Sequence, residues 1–346
     1  MRFNQRNLLS ALCIICMLVL VACGQNSQST GGQTAAVPND KGKNSQEGNK
    51  FPQKDITIVV PWNAGGGNDL MARKLQAIFK DELDISVVVK NAPGGNGVVG
   101  ITEVATSKPD GYTLGVHTSS TLSVIALGQA SLKSDKLTNI ALISEDPLVL
   151  VSKADAPWNN MKELVEYMKT KPNQVKVATP GTNNVNHAVA AMLGSSTNVQ
   201  FQHVPFDGGA LVITQLLGGH VDVAVLKPSE SMSQIKDGNL KAIAINAEKR
   251  IDSLPDVPTF KESGYDLFTS GAVKQISFIV GPAGMDPAIR ERLTELFNKA
   301  IQSDAYQKFA HEGGFITPKK TGSELDKEVD TLIKALSEAF SKIFKP

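Results

Sequence analysis

Ile56-Thr57-Ile58-Val59-Val60-Pro61-Trp62-Asn63-Ala64-Gly65-Gly66-Gly67-Asn68-Asp69-Leu70-Met71-Ala72-Arg73 is the stretch that decides the fold. Ile56, Ile58 and Val60 alternate as a strand does, and Pro61 ends the run. Met71, Leu75, Ile78 and Phe79 then recur at helical spacing. A strand, a glycine turn and a helix in that order is the building unit of an α/β protein.

The same alternation continues outward. Strands are expected at Ile85 to Val89, Tyr112 to Val116, Val175 to Ala178, Gln202 to Val204, Val221 to Leu226 and Ala242 to Ile245, and Ala141 to Ser152 holds another apolar run. Helix faces are Met161, Leu164, Val165 and Met168; Ile289, Leu293, Leu296 and Phe297; and Leu325, Val329, Leu332, Leu336 and Phe340. Thr321 and Glu324 suit a capping box ahead of the last. The pattern predicts α/β architecture with mainly parallel sheets, and ligands then bind beyond the carboxyl ends of strands.

Four strand-to-helix loops share one character. They are Pro61 to Asn68, Asn91 to Gly97, Thr179 to Asn184, and Pro205 to Gly209. Glycine lets backbone N–H groups turn toward a ligand, and a helix start adds unpaired donors and partial positive charge. Together these make a small-anion site that needs no arginine. One such loop reads as a tight turn; several together point to a cleft for a carboxylate.

Other signals weigh less. Gly95-Asn96-Gly97-Val98-Val99-Gly100 matches G-x-G-x-x-G, but no acidic residue stands near position 120, so it reads as a helix-start turn. Asp69 and Arg73 are spaced i, i+4, and read as an ion pair rather than a ligand clamp. Lys227 follows the strand Val221 to Leu226 and could face the cleft, though a solvated loop lysine is the commoner outcome. His117, His187, His203, His220 and His311 show no zinc spacing, and His187 reads as capping or packing. There is no nucleophile elbow, no P-loop, and no matched acid and base pair. No cofactor or metal is expected.

The N-terminus sets the compartment. Cys23 ends Leu20-Val21-Ala22-Cys23-Gly24, behind Arg2, Arg6 and an uncharged stretch from Leu8 to Ala22. Basic residues, a short apolar core and small residues before a cut make a secretory signal. The apolar stretch is short of the ~20 residues a membrane span needs. Cysteine at the first mature position is what a bacterial lipoprotein signal peptidase selects. Residues 1–22 are therefore expected to be removed and Cys23 to carry lipid. Residues 23–50, rich in Gly, Ser, Asn and Gln, read as a flexible tether. Cys13 and Cys16 fall inside the signal, which leaves no internal disulfide or thiolate site. With 35 basic and 34 acidic residues there is no argument for nucleic acid as a partner.

From Pro52 to Phe340 the loops resemble, in order, the substrate-binding proteins of tripartite tricarboxylate transporters, the Bug receptors. The strings are Ile58-Val59-Val60-Pro61 with Gly65-Gly66-Gly67 and Asp69, Pro93-Gly94-Gly95-Asn96-Gly97, and Pro109-Asp110-Gly111-Tyr112-Thr113-Leu114. Gly181-Thr182 with His187, Val204-Pro205-Phe206, Leu254-Pro255-Asp256-Val257-Pro258-Thr259 and Gly281-Pro282-Ala283-Gly284 complete them. The resemblance implies a two-lobed, type II periplasmic-binding fold that closes on a small organic acid, of di- or tricarboxylate class. Lobe 1 would comprise residues 51–152 and 275–346, and lobe 2 residues 153–274. Crossings are expected near Leu150 to Asp155 and Ser270 to Phe278.

In the family, two loops grip a carboxylate. Here that implies Trp62, Asn63, Ala64, Gly65, Gly66 and Asn68 on one side. Thr182, Asn183 and Asn184 would answer from the other, with Phe206, Asp207 and Gly208; Ser119 and Ser120 are added candidates. The chain departs from the family at Trp62-Asn63, where Phe-Ala is usual, at Asn183, where Gly is common, and at Ile276-Ser277-Phe278, where a Trp-Gly pair is missing. The reading is a lipid-anchored receptor serving membrane permease subunits, and not an enzyme. The rivals are a surface hydrolase built on Thr182 and His187, and a sensor feeding a membrane kinase.

Overall fold

The computed structural model describes residues 51–267 and 274–344. The expected signal, Cys23, the tether and part of the second crossing lie outside the described residues.

Strand β1, Ile56–Val60, runs into the loop at Pro61 and then helix α1, Gly67–Leu83. Its apolar stripe of Met71, Leu75, Ile78 and Phe79 is buried, as the spacing predicts. Phe79 packs on Phe297 with ring centroids 4.9 Å apart. Burying each such side chain contributes about 1.5–3 kcal/mol. Next come β2, Val87–Asn91; α2, Val98–Ala105; β3, Thr113–Thr118; α3, Ser119–Ala126; and β4, Leu137–Asp146.

A second series begins at β5, Leu148–Lys153. It continues with α4, Met161–Thr170; β6, Lys176–Thr179; α5, Val185–Thr197; and β7, Gln202–Pro205. Then follow α6, Gly209–Leu217; β8, Val223–Leu226; α7, Pro228–Lys236; and β9, Leu240–Asn246. The chain returns through β10, Gln275–Pro282, to α8, Pro287–Ile301; α9, Asp304–Gly313; and α10, Gly322–Ile343.

Among the described residues there are two five-stranded sheets, in the orders β2-β1-β3-β10-β4 and β7-β6-β8-β5-β9. They are built alike. In each, one strand is inserted antiparallel to both its neighbours: β10 between β3 and β4, and β5 between β8 and β9. The other determined pairings are parallel. The architecture is thus two α/β lobes, each with a mixed sheet flanked by helices.

The apolar run Ala141 to Ser152 is two strands, not one. Pro147 separates β4 in the first sheet from β5 in the second. The first crossing therefore falls at Pro147, ahead of the expected Leu150 to Asp155, and β5 sits in the second sheet rather than with residues 51–152. Proline breaks the ladder here because it has no N–H to donate.

Helix α10 buries Leu325, Val329, Leu332, Leu336 and Phe340 in an apolar cluster that also takes in Leu142 and Val280 of the first sheet and Val223 and Val225 of the second. Its N-cap is Thr321, but no side-chain bond closes the expected capping box.

Candidate functional site

The helix starts that follow β1, β3, β6, β7 and β8 converge between the two sheets. They bring together Trp62, Gly66, Gly67, Asn68 and Ser120 from the first lobe with Pro180, Asn186, Gly208, Gly209, Lys227 and Glu230 from the second; Gln275 of β10 completes the lining. The cavity is only about 20 Å³, close to the ~10–15 Å³ that one water requires. Side chains from the two lobes reach across the cleft and narrow it.

Lys227 is the centre of that narrowing. Its Nζ lies 3.0 Å from Asp146 Oδ2, and donates to Ser277 Oγ at 2.8 Å and Asn68 Oδ1 at 3.2 Å. Ser144 Oγ donates to Asp146 Oδ2 at 2.6 Å, while Asp146 Oδ1 has no protein partner. Lys227 and Asp146 are each 4% exposed. The expectation of a solvated loop lysine is corrected: three acceptors from the first lobe draw this second-lobe cation inward. Glu230 joins the cluster, with Oε2 accepting Lys227 N–H at 3.0 Å and Oε1 accepting Gly67 N–H at 3.3 Å. Burial pushes its carboxyl up from the usual range, against the pull of Lys227 and the two backbone donors.

Asp69 organises the loop before α1. It accepts from Gly65 N at 2.9 Å, Arg73 Nε at 2.9 Å and Asn91 Nδ2 at 2.9 Å. Burial opposes its charge, yet these hydrogen bonds hold its carboxyl below the usual carboxylate range. Arg73 is thus the partner of Asp69, and lies outside the cavity lining.

The other expected residues are placed as follows. Trp62, Gly66, Asn68, Ser120 and Gly208 line the cavity. Asn63 donates from Nδ2 to the Asp207 carbonyl across the cleft. Ala64, Gly65 and Asp207 are exposed, and Phe206 is half-buried. Ser119 is buried, and its Oγ accepts Ile276 N–H at 2.9 Å. Thr182 is exposed, and Asn184 Oδ1 caps α5 through His187 N–H at 3.0 Å. Asn183 donates from Nδ2 to Gln129 Oε1 at 3.2 Å. Asn96, the middle of the G-x-G-x-x-G turn, donates from Nδ2 to the Thr182 carbonyl at 2.7 Å and accepts from Asn184 Nδ2 at 3.3 Å. A Cβ at Gly181, where φ is +111°, would strike the Asn96 side chain.

Thr182 Oγ1 is 3.5 Å from His187 Nδ1, but that nitrogen already accepts Asn183 N–H at 3.0 Å. It is not free to take the hydroxyl proton. His187 stacks on His203 with ring centroids 3.7 Å apart. Burial lowers the two imidazole pKa values to about 3 and about 4, with His203 also depressing His187. Among the described residues no three His, Cys, Asp or Glu side chains form a metal position. None of the helices there is long and apolar enough to cross a membrane.

Gly67, Pro180 and Gly209 fall within the candidate loops without being singled out, whereas Asn186, Glu230 and Gln275 lie outside every loop named. Lys227-Pro228-Ser229-Glu230 directly after the apolar strand Val223–Leu226 was the available signal, an acid three residues into a helix.

Residues 71–335 match the family model described as tripartite tricarboxylate transporter family receptor. Protein BugT of Bordetella pertussis is 29% identical over 303 residues, which is 85% of this chain and 91% of that one. The solved periplasmic binding protein BugD superposes with a TM-score of 0.80 at 28% identity, covering 85% of this chain and 99% of its own. MatC from Rhodopseudomonas palustris, solved with bound malate, gives 0.77 at 27%, covering 84% and 100%. With this order of strands and a cleft between two lobes, the chain belongs to the tripartite tricarboxylate transporter receptor family of extracytoplasmic solute-binding proteins.

Proposed function

We propose that this protein is a lipid-anchored receptor that captures a small organic carboxylate and delivers it to the membrane permease subunits of a tripartite tricarboxylate-type transporter. The observation that carries the reading is the convergence of five helix starts, two of them contributing glycines to the lining, on one cavity between two lobes. Helix N-termini gather N–H donors and partial positive charge, which suits an anion. Malate bound to MatC supports the solute class. Trp62, Gly66, Asn68, Ser120 and Gly208 are the contact residues of choice, with Thr182 to Asn184 forming an outer rim.

The tether and Cys23 supply the attachment, so Cys23→Ser is expected to release the protein from membranes. Undiminished membrane partitioning of that variant would place the anchor elsewhere. The solute class is tested by thermal shift against malate, citrate, aromatic acids and amino acids. A rise in melting temperature with di- or tricarboxylates is expected; a response to none of them, with a response to another class, would sink it.

A further inference from the structure

Two glycine loops from opposite lobes meet on one carboxylate, and that carboxylate is the protein's own. Glu230 Oε1 takes the N–H of Gly67, the first residue of α1, at 3.3 Å. A Cβ on Gly209, the first residue of α6, would overlap the Glu230 carboxylate, and one on Gly67 would come within 3.1 Å of Glu230 Cγ. Both positions carry the one residue type that lets an anion sit this close to two helix N-termini. A second feature of the same cavity points to a ligand: Trp62, 7% exposed and part of the lining, has a buried Nε1 with no acceptor. A buried donor left unpaired is destabilising, and an incoming acceptor would recover that loss.

We propose that Glu230 is an internal stand-in for the ligand: its carboxylate occupies the anion seat between the starts of α1 and α6, and a solute carboxylate enters by displacing it. The displacement half rests on the carboxylate-receptor reading above; the seat does not. The charged groups facing Glu230 are Lys227 beside it and Asp146 from the end of β4, the first favouring its charge and the second opposing it. Since burial makes Glu230 take up a proton more readily than usual, lower pH weakens its hold on the seat and favours the solute.

The seat is tested by chemical complementation. Sodium formate, compared with sodium chloride at equal ionic strength, is expected to raise the melting temperature of Glu230→Ala and not that of the parent. Equal responses would overturn the seat. Displacement is tested by calorimetry with malate and citrate on the parent and Glu230→Gln, which keeps the side chain's size and removes its charge. At pH 8 the variant is expected to bind at least about tenfold tighter, and the ratio should shrink at pH 5.5. Equal or weaker binding by Glu230→Gln at both pH values would overturn displacement. If neither protein binds malate or citrate while Glu230→Ala takes formate, the solute class is wrong and the seat stands.

Discussion

The loop before α1 and the loop before α5 look alike in sequence and do different work. Both follow a strand, and both mix glycine with asparagine. The first keeps its Asn68 side chain, its Gly67 N–H and the neighbouring Trp62 turned to the cavity. The second bonds partly at home, where Asn184 caps α5 and His187 accepts Asn183 N–H, and partly to neutral amides of the first lobe, Asn96 and Gln129. What separates the two is the partner: the first loop meets the charged Lys227 and Glu230 in the cavity wall, the second the neutral amides of Asn96 and Gln129 outside it. Asn and Thr readily bond nearby backbone, so their presence alone says little about a ligand.

The largest expected break in this contrast is at the charge cluster behind the first loop. Lys227→Met strands Asp146 in an apolar setting, and removing one partner of a buried pair costs about 3–5 kcal/mol. Urea midpoints should fall accordingly; an unchanged midpoint would mean the pair is solvated. Next comes affinity. Trp62→Phe removes a donor that no protein group uses, so lost binding reports on ligand alone. A hydrogen bond to a charged group contributes about 1.5–3 kcal/mol, and malate or citrate should therefore bind roughly tenfold or more weakly. Thr182→Ala should change affinity by less than about threefold. The reverse ranking in calorimetry would make the second loop the true grip.

A pH titration sharpens the second loop further. His187 and His203 have folded pKa values near 3 and 4, below the ordinary 6.5. The folded state thus favours the neutral rings, and their contribution is present above about pH 6.5 and lost as pH falls through 4 toward 3. His203→Gln should flatten that part of the melting-temperature profile; an unchanged slope would remove the pair as its cause. The smallest effect is expected at Asn96→Ala, about 0.5–1.5 kcal/mol per lost hydrogen bond. It should appear in denaturant midpoints with little change in solute affinity.

Much of the fold was legible. The apolar spacing of α1, α4, α8 and α10 and the alternation of β1 are local properties, so sequence carries them. The double identity of residues 137–153 was not read, although Glu145-Asp146-Pro147 interrupts the apolar run and a proline inside a strand marks its end. β10 was read as part of a crossing and of the first lobe, but not as the strand inserted antiparallel between β3 and β4. In the site, glycine loops announced the cavity, whereas Lys227 and Glu230 stayed hidden. Read alone, a loop lysine defaults to solvent. What reverses that default is Asn68, 159 residues away, together with Ser277 and Asp146.

Pro147 is the entire link between β4 and β5, and its ring fixes φ near −65°. Any swing of one lobe against the other on this side must be taken up by the few torsions around that joint. Asp146 is the residue next to it, and Lys227 is held there at 3.0 Å. A force applied beside an axle has almost no lever arm. The Lys227–Asp146 ion pair would therefore exert little torque against an opening about this joint, and would keep the two halves aligned if they turned. Resistance to such an opening would fall instead to the contacts farther from the joint.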